Sequence, residues 1–188
     1  VVIDGPVTLA TGAVSVTTAD DAVTFNHTID GNETLTIASG AGDVTFTGAI
    51  GGTTGLAGLS VNASSGDGDI DFASTIGDAD AIGVVGTTAV GNSTTADMDF
   101  GGATYKFDGG TTFTAVSTGT IDMGAAVTFS TANDSIEFAT AGVALANGAN
   151  LTIDTGAEGG NITVGGSITG HSQETVTLDA GTGTTSVA

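Results

Sequence analysis

Apolar and polar residues alternate in short bursts along the whole chain. The commonest burst is apolar, polar, then phenylalanine: Val23-Thr24-Phe25, Val44-Thr45-Phe46, Ile70-Asp71-Phe72, Met98-Asp99-Phe100, Val127-Thr128-Phe129 and Ile136-Glu137-Phe138, with Tyr105-Lys106-Phe107 as a variant. Aliphatic versions fill the intervals: Leu35-Thr36-Ile37, Leu59-Ser60-Val61, Leu151-Thr152-Ile153, Ile162-Thr163-Val164 and Val176-Thr177-Leu178. Successive side chains of a strand point to opposite faces, so each triplet gives two inward apolar groups and one outward polar group. The pattern predicts many short, half-buried strands. In four triplets an isoleucine follows the last apolar residue by four positions, pairing Phe25 with Ile29, Phe46 with Ile50, Phe72 with Ile76 and Val164 with Ile168. Glycine comes within two residues of each, at Gly31, Gly51, Gly77 and Gly170, which predicts a bend there.

The spacing of these bursts predicts a repeat. Taking Phe25, Phe46, Phe72, Phe100 and Phe129 as equivalent gives steps of 21, 26, 28 and 29 residues, and Phe138 to Val164 adds another of 26. Periods of about 20–50 residues mark repeat architectures. Coils of about 25 residues with two or three short strands each fit an all-β, right-handed parallel β-helix, a single β-solenoid domain spanning residues 1–188. Seven to eight coils fit the length, rising about 40 Å in all at about 4.8 Å per coil. Phenylalanines would then stack inside, with Thr and Asp ladders outside. The alternative is a β-sandwich fibre subunit, whose strands also alternate and turn every 8–12 residues. The lack of tryptophan and the uniform Gly/Thr/Asp turns weigh against the sandwich, whereas the uneven coil length weighs for it.

Composition narrows the function. Gly, Ser and Thr supply 80 of 188 residues (32 Gly, 48 Ser plus Thr), and helix formers are too sparse to sustain a helix. The 39% hydrophobic content is too high for a solvated coil. One lysine, no arginine and 21 acids give a net charge of −20. Such a charge repels phosphate, so nucleic acid and anionic lipid are not expected partners. No apolar run approaches the roughly 20 residues of a membrane-crossing helix, and no membrane insertion is expected. Without cysteine there is no disulfide framework, thiolate metal site or thiol nucleophile.

The segment Gly42-Asp43-Val44-Thr45-Phe46-Thr47-Gly48-Ala49-Ile50-Gly51-Gly52, followed by Leu56-Ala57-Gly58-Leu59-Ser60-Val61, resembles repeats of large secreted bacterial surface proteins. These are of the filamentous-haemagglutinin and autotransporter-passenger type. The likeness is clearest over residues 23–77. It implies a secreted, elongated β-helical stalk or adhesin without catalysis, and no functional residue carries over from it.

The two ends carry no charged or helical cap, and residue 1 is valine. The expectation is either removal of a leader or precursor, or a segment of a longer polypeptide. An uncapped solenoid exposes strand edges and apolar interior, so the expected partner is another copy of the chain, stacked head-to-tail, with strand exchange as one route.

Seven of eight asparagines open an Asn-X-Ser/Thr triplet: Asn26, Asn32, Asn62, Asn92, Asn133, Asn150 and Asn161, with Asn147 the exception. At 48 Ser or Thr in 188 residues, about two would arise by chance. They are candidate N-glycosylation sites on an extracellular surface, set against the preference of Asn and Thr for turns. Asp67, Asp69 and Asp71 carry oxygen ligands at alternate positions and are the candidate Ca²⁺ ligands. However, Phe72 stands where an EF-hand loop needs glycine, and a solvated acidic face is the favoured explanation of the run. No other cofactor is expected. An enzyme is not expected either: His27 and His171 are far apart, Lys106 stands alone, and no arginine is present to stabilise developing charge. The expected function is an extracellular structural protein assembling into a surface filament or sheath. Alternatives are an adhesin stalk that binds glycan or a host surface, or a calcium-dependent surface-layer protein.

Overall fold

A computed structural model describes all residues 1–188, and the chain winds into eight rungs of a β-solenoid without a helix. Rung 1 holds β1 (Val2–Ile3), β2 (Val7–Leu9) and β3 (Val14–Thr17), and rung 2 holds β4 (Val23–Phe25), β5 (Ile29–Gly31) and β6 (Thr34–Ala38). Rungs 3 and 4 contain β7 (Val44–Phe46) with β8 (Gly58–Val61), then β9 (Ile70–Phe72) with β10 (Thr88–Gly91). In both, the middle strand shrinks to single bridges, at Ile50 and Leu56 and at Ile76 and Val84. Rung 5 restores three strands, β11 (Met98–Phe100), β12 (Thr104–Phe107) and β13 (Thr111–Thr114). It is followed by β14 (Thr120–Met123), β15 (Val127–Thr131) and β16 (Ile136–Ala139) in rung 6. Rung 7 is β17 (Gly142–Leu145), β18 (Leu151–Asp154) and β19 (Ile162–Val164); rung 8 is β20 (Ile168–Thr169), β21 (Val176–Asp179) and β22 (Thr185–Val187).

The first strands of all rungs form one eight-stranded sheet, the third strands another, and the second strands a third face that joins β2–β5 to β12–β15–β18–β21 through the bridges. Every strand pair is parallel, and no sandwich hairpin occurs. Parallel pairing in register puts like positions directly above each other, so the alternation read along one strand becomes a column through the molecule.

The columns are the core. On the first face Ile3, Phe25, Phe46, Phe72, Phe100, Met123 and Leu145 succeed one another. Four of their rings stack nearly flat: Phe25–Phe46 at 5.5 Å and 10°, Phe46–Phe72 at 5.0 Å and 8°, Phe72–Phe100 at 5.3 Å and 9°. On the second face the column is Val7, Ile29, Ile50, Ile76, Tyr105, Phe129, Ile153 and Leu178. Phe129 therefore stacks on Tyr105 (4.9 Å, 17°), around the corner from Phe100, and is not its equivalent. The residue above Phe100 is Met123, at a step of 23 rather than 29, because Ile121-Asp122-Met123 supplies the same in-out-in shape with a flexible thioether in the ring's slot. The Phe138–Val164 step of 26 holds on the third face.

The isoleucines that follow Phe25, Phe46 and Phe72 turn the corner between first and second faces. Ile168 instead begins the first-face strand β20. Gly51 and Gly77 take φ of +64° and +74°, and a Cβ on Gly51 would run into the Gly83 carbonyl, so both the turn and the close rung-to-rung approach demand glycine. Gly170 has no positive φ. In rungs 5 and 6 aromatic rings from all three faces meet edge to face around Phe100, with Tyr105, Phe113 and Phe129 at 4.9, 5.1 and 5.1 Å. The buried Tyr105 hydroxyl is satisfied: it donates to the Phe72 carbonyl (3.0 Å) and accepts the Gly102 N–H (2.8 Å).

Candidate functional site

Polar side chains that open strands tie one rung to the next. On the first face Asp43 Oδ1 accepts the N–H of Asp69 (3.0 Å), Asp69 Oδ1 that of Asp97 (3.2 Å), and Asp97 Oδ1 that of Thr120 (2.7 Å). On the second face Asn150 Oδ1 accepts Thr175 N–H (2.8 Å). On the third, Ser135 Oγ accepts Asn161 N–H (3.0 Å) and Asn161 Oδ1 accepts Thr184 N–H (3.0 Å). Each acceptor directly precedes an inward apolar residue and reaches the equivalent position one rung on. A bent corner leaves backbone N–H groups without a sheet partner, and these side chains satisfy them. The sequence signal is an Asx or Ser just before six of the in-out-in triplets, at Asp43, Asp69, Asp97, Ser135, Asn150 and Asn161. The sequons Asn150-Leu151-Thr152 and Asn161-Ile162-Thr163 have the form this ladder needs, opening residue, inward residue, outward residue.

The acidic residues collect beside that ladder. Asp71, Asp99 and Asp122 hold the outward position of three successive rungs. Burial raises the carboxyls of Asp71 and Asp99 above the ordinary range, and for Asp99 the charges of Asp122, Asp71, Asp97 and Asp69 push further. Asp69 and Asp71 thus join a column across three rungs. Asp67 stays apart, exposed in the turn before them and lining an open groove. No three His, Asp or Glu side chains are arranged to hold a metal ion, the Asp67, Asp69 and Asp71 set included. That groove, about 390 Å³, runs along the edge between third and first faces and is lined by Asp20, Gly40, Ala41, Ser65, Gly66, Asp67 and Thr94.

Outside these columns, two turns are tightly held. Glu174 Oε1 accepts Gly148 N–H (2.8 Å) and Oε2 accepts the N–H groups of His171, Ser172 and Gln173. The N–H groups of Gly148, Ser172 and His171, Gly148 first, pull its carboxyl down to about 2. Asp78 is lowered by the N–H groups of Asp80 and Ala81, with Lys106 adding to the effect; Lys106 Nζ donates to the Ala79 carbonyl (2.9 Å). His27 and His171 are exposed at opposite ends, in rungs 2 and 8, about 29 Å apart at the usual strand spacing.

The candidate glycosylation asparagines separate into two groups. Asn62 is 1% exposed, in a left-handed conformation (φ +47°), and exchanges hydrogen bonds with Ser39. Asn92 and Asn26 are half-buried with Nδ2 engaged, whereas Asn32, Asn133, Asn150 and Asn161 are exposed.

The two end rungs leave apolar surface open. Val1 and Val2 (56% and 67% exposed) lie at one end, and Val176 and Val187 (41% and 46%) at the other. Ile3, Val7, Val14 and Val16 at the first end and Ile168 and Leu178 at the second are only partly covered. Inward residues donate their N–H forward, Leu151 to Thr175 O and Ile162 to Thr184 O, so Val176 and Thr185 in rung 8 have no following strand within residues 1–188. The sequence shows no match to any protein-family model, curated protein or solved structure.

Proposed function

We propose that this chain is a structural β-solenoid unit of an extracellular surface filament or sheath, extended when rung 8 of one copy stacks on rung 1 of the next. The supporting observation is the pair of open end rungs, each presenting three unpaired strand edges around an uncovered apolar interior. Continuing each column in register fixes how they meet, and a one-residue slip would turn every inward group outward. Leu178 then covers Val7 at the end of the second-face column, and Val187 covers Val16 on the third face. The outward columns become Asp179 over Thr8 and Ser186 over Ser15, with no like charges opposed. The contact is heterologous, so repetition gives an open fibre rather than a closed ring. Stacked backbone hydrogen bonds and the apolar columns give cohesion along the axis, while the −20 charge and covalent glycans on exposed asparagines keep fibres apart laterally. The resemblance to secreted surface repeats agrees with this reading.

Negative-stain microscopy and light scattering over a concentration series test it. Unbranched rods that lengthen with concentration are expected, and Val187→Asp, which puts a charge at an inward end position, should leave monomers. Monodisperse monomers at high concentration would refute the stacking. A second reading, an adhesin surface, is favoured by the polar groove at Asp20, Ser65, Asp67 and Thr94, whose carboxylates and hydroxyls suit sugar hydroxyls. A glycan array on the wild type and Asp67→Ala separates it from a purely structural role.

A further inference from the structure

We propose that Asn32, Asn133, Asn150 and Asn161 are the N-glycosylation acceptors of the folded chain and that Asn26, Asn62 and Asn92 serve only to hold corners. The proposal rests on the extracellular reading above. Glycosylation needs a free Nδ2, and the rung-to-rung hydrogen bonds decide which amides have one. In Asn133, Asn150 and Asn161 a backbone N–H of the following rung, from Glu158 (2.9 Å), Thr175 (2.8 Å) and Thr184 (3.0 Å), donates to the side-chain oxygen. A donor at that atom identifies it as Oδ1, so Nδ2 is the atom turned away, unpaired. All three side chains are exposed. Asn32, in the turn between β5 and β6, is exposed and makes no side-chain hydrogen bond.

The other three amides are engaged. Asn62 Nδ2 donates to Ser39 Oγ (2.9 Å) while its Oδ1 accepts Ser39 N–H (2.9 Å), in a buried corner. Asn92 Nδ2 donates to the carbonyls of Asn62 (2.6 Å) and Gly66 (2.9 Å), which uses both protons, and its Oδ1 accepts the hydroxyl of Thr94, its own sequon partner (2.6 Å). Asn26, half-buried, donates to Asp4 Oδ1 (2.9 Å).

For five of the seven the division is also spatial, while Asn26 and Asn150 share the edge between first and second faces. Asn62 and Asn92 lie on the edge between third and first faces, beside the groove. Asn32, Asn133 and Asn161 lie on the edge between second and third faces, in rungs 2, 6 and 7, and Asn150 precedes β18 on the edge between first and second. Glycans would line one long edge and leave the groove edge bare. The donor is a lipid-linked glycosyl diphosphate. Nδ2 attacks the anomeric carbon, the bond from that carbon to the diphosphate oxygen breaks with its electron pair leaving on the diphosphate, and a transferase base takes the Nδ2 proton.

The test presents the folded 188-residue protein, with a control acceptor peptide, to an oligosaccharyltransferase and that donor, and maps occupancy by peptide mass. Glycan is expected at the four exposed asparagines and at none of the other three. Thr152→Ala and Thr163→Ala remove the sequon hydroxyl but keep the Asn150 and Asn161 hydrogen bonds. Each should lose one glycan mass with an unchanged circular dichroism spectrum. Glycan on Asn26, Asn62 or Asn92, full occupancy in the two variants, or bare protein beside a modified control peptide would overturn the assignment. The stacking reading is measured on unglycosylated protein, so either proposal can fail while the other stands.

Discussion

Thr88 offers the sharpest test of the column arrangement. It occupies an inward position of β10, fully buried, with Leu59 below and Thr111 above in register. Its Oγ1 is the one buried side-chain polar atom without a hydrogen-bond partner. The neighbouring Thr111 hydroxyl does not serve it, being turned to the Gly109 carbonyl (3.0 Å). A buried, unpaired hydroxyl costs about 1–3 kcal/mol of lost solvation. Valine has nearly the same shape, keeps the β-branch that suits a strand, and replaces the hydroxyl with a methyl group. Thr88→Val should therefore stabilise the fold by about 1–2 kcal/mol. With a urea slope of about 2–3 kcal/mol/M, the unfolding midpoint should rise by roughly 0.3–1 M, and Tm by about 2–8 °C. Thr111→Val is the control: it removes a satisfied hydroxyl and strands a carbonyl, so it should be neutral or destabilising. Equilibrium urea denaturation followed by circular dichroism reads both. A Thr88→Val midpoint at or below wild type would show that the hydroxyl is not buried unpaired, and the register of β10 between β8 and β13 would fall with it.

Acidification from pH 7 towards about 4.5 should raise stability. Asp71 and Asp99 have raised carboxyls in the fold, so their protonation favours it, and that contribution is lost as pH rises through the folded values. Glu174 and Asp78 are depressed and act in the opposite sense, stabilising above the ordinary carboxylate values and losing that effect only as pH falls further, towards about 2 for Glu174. Asp99→Asn should flatten the slope between pH 7 and 4.5 and add stability at pH 7; an unchanged slope in urea midpoints across that range would contradict the carboxylate column. Trypsin should leave the folded protein intact, because its one internal site, Lys106–Phe107, lies in β12 with Phe107 fully buried. Unfolding should yield fragments of 106 and 82 residues (188 − 106), and rapid cleavage of native protein would argue against a formed rung 5.

The strands, their inward faces and the winding are legible in the chain, because alternation has a period of two wherever one face is buried and each rung must restore the same cross-section. Phe25, Phe46, Phe72 and Phe100 are readable as a stack from spacing alone. The chain could not say which face a triplet belongs to. Val127-Thr128-Phe129 and Ile121-Asp122-Met123 are locally alike, and only rung-to-rung pairing, which joins residues 21–29 apart, assigns Phe129 to the second face and Met123 to the Phe column. The same holds for polar residues. Seven sequons look equivalent on paper, and Asp67, Asp69 and Asp71 look like one set. Folding buries Asn62, ties Asn92, frees Asn161, and draws Asp69 and Asp71 into a column with Asp97, Asp99 and Asp122 while Asp67 faces the groove. Local pattern fixes which way a side chain points; what it meets depends on the neighbouring rungs, and those are brought beside it only by the closed turn.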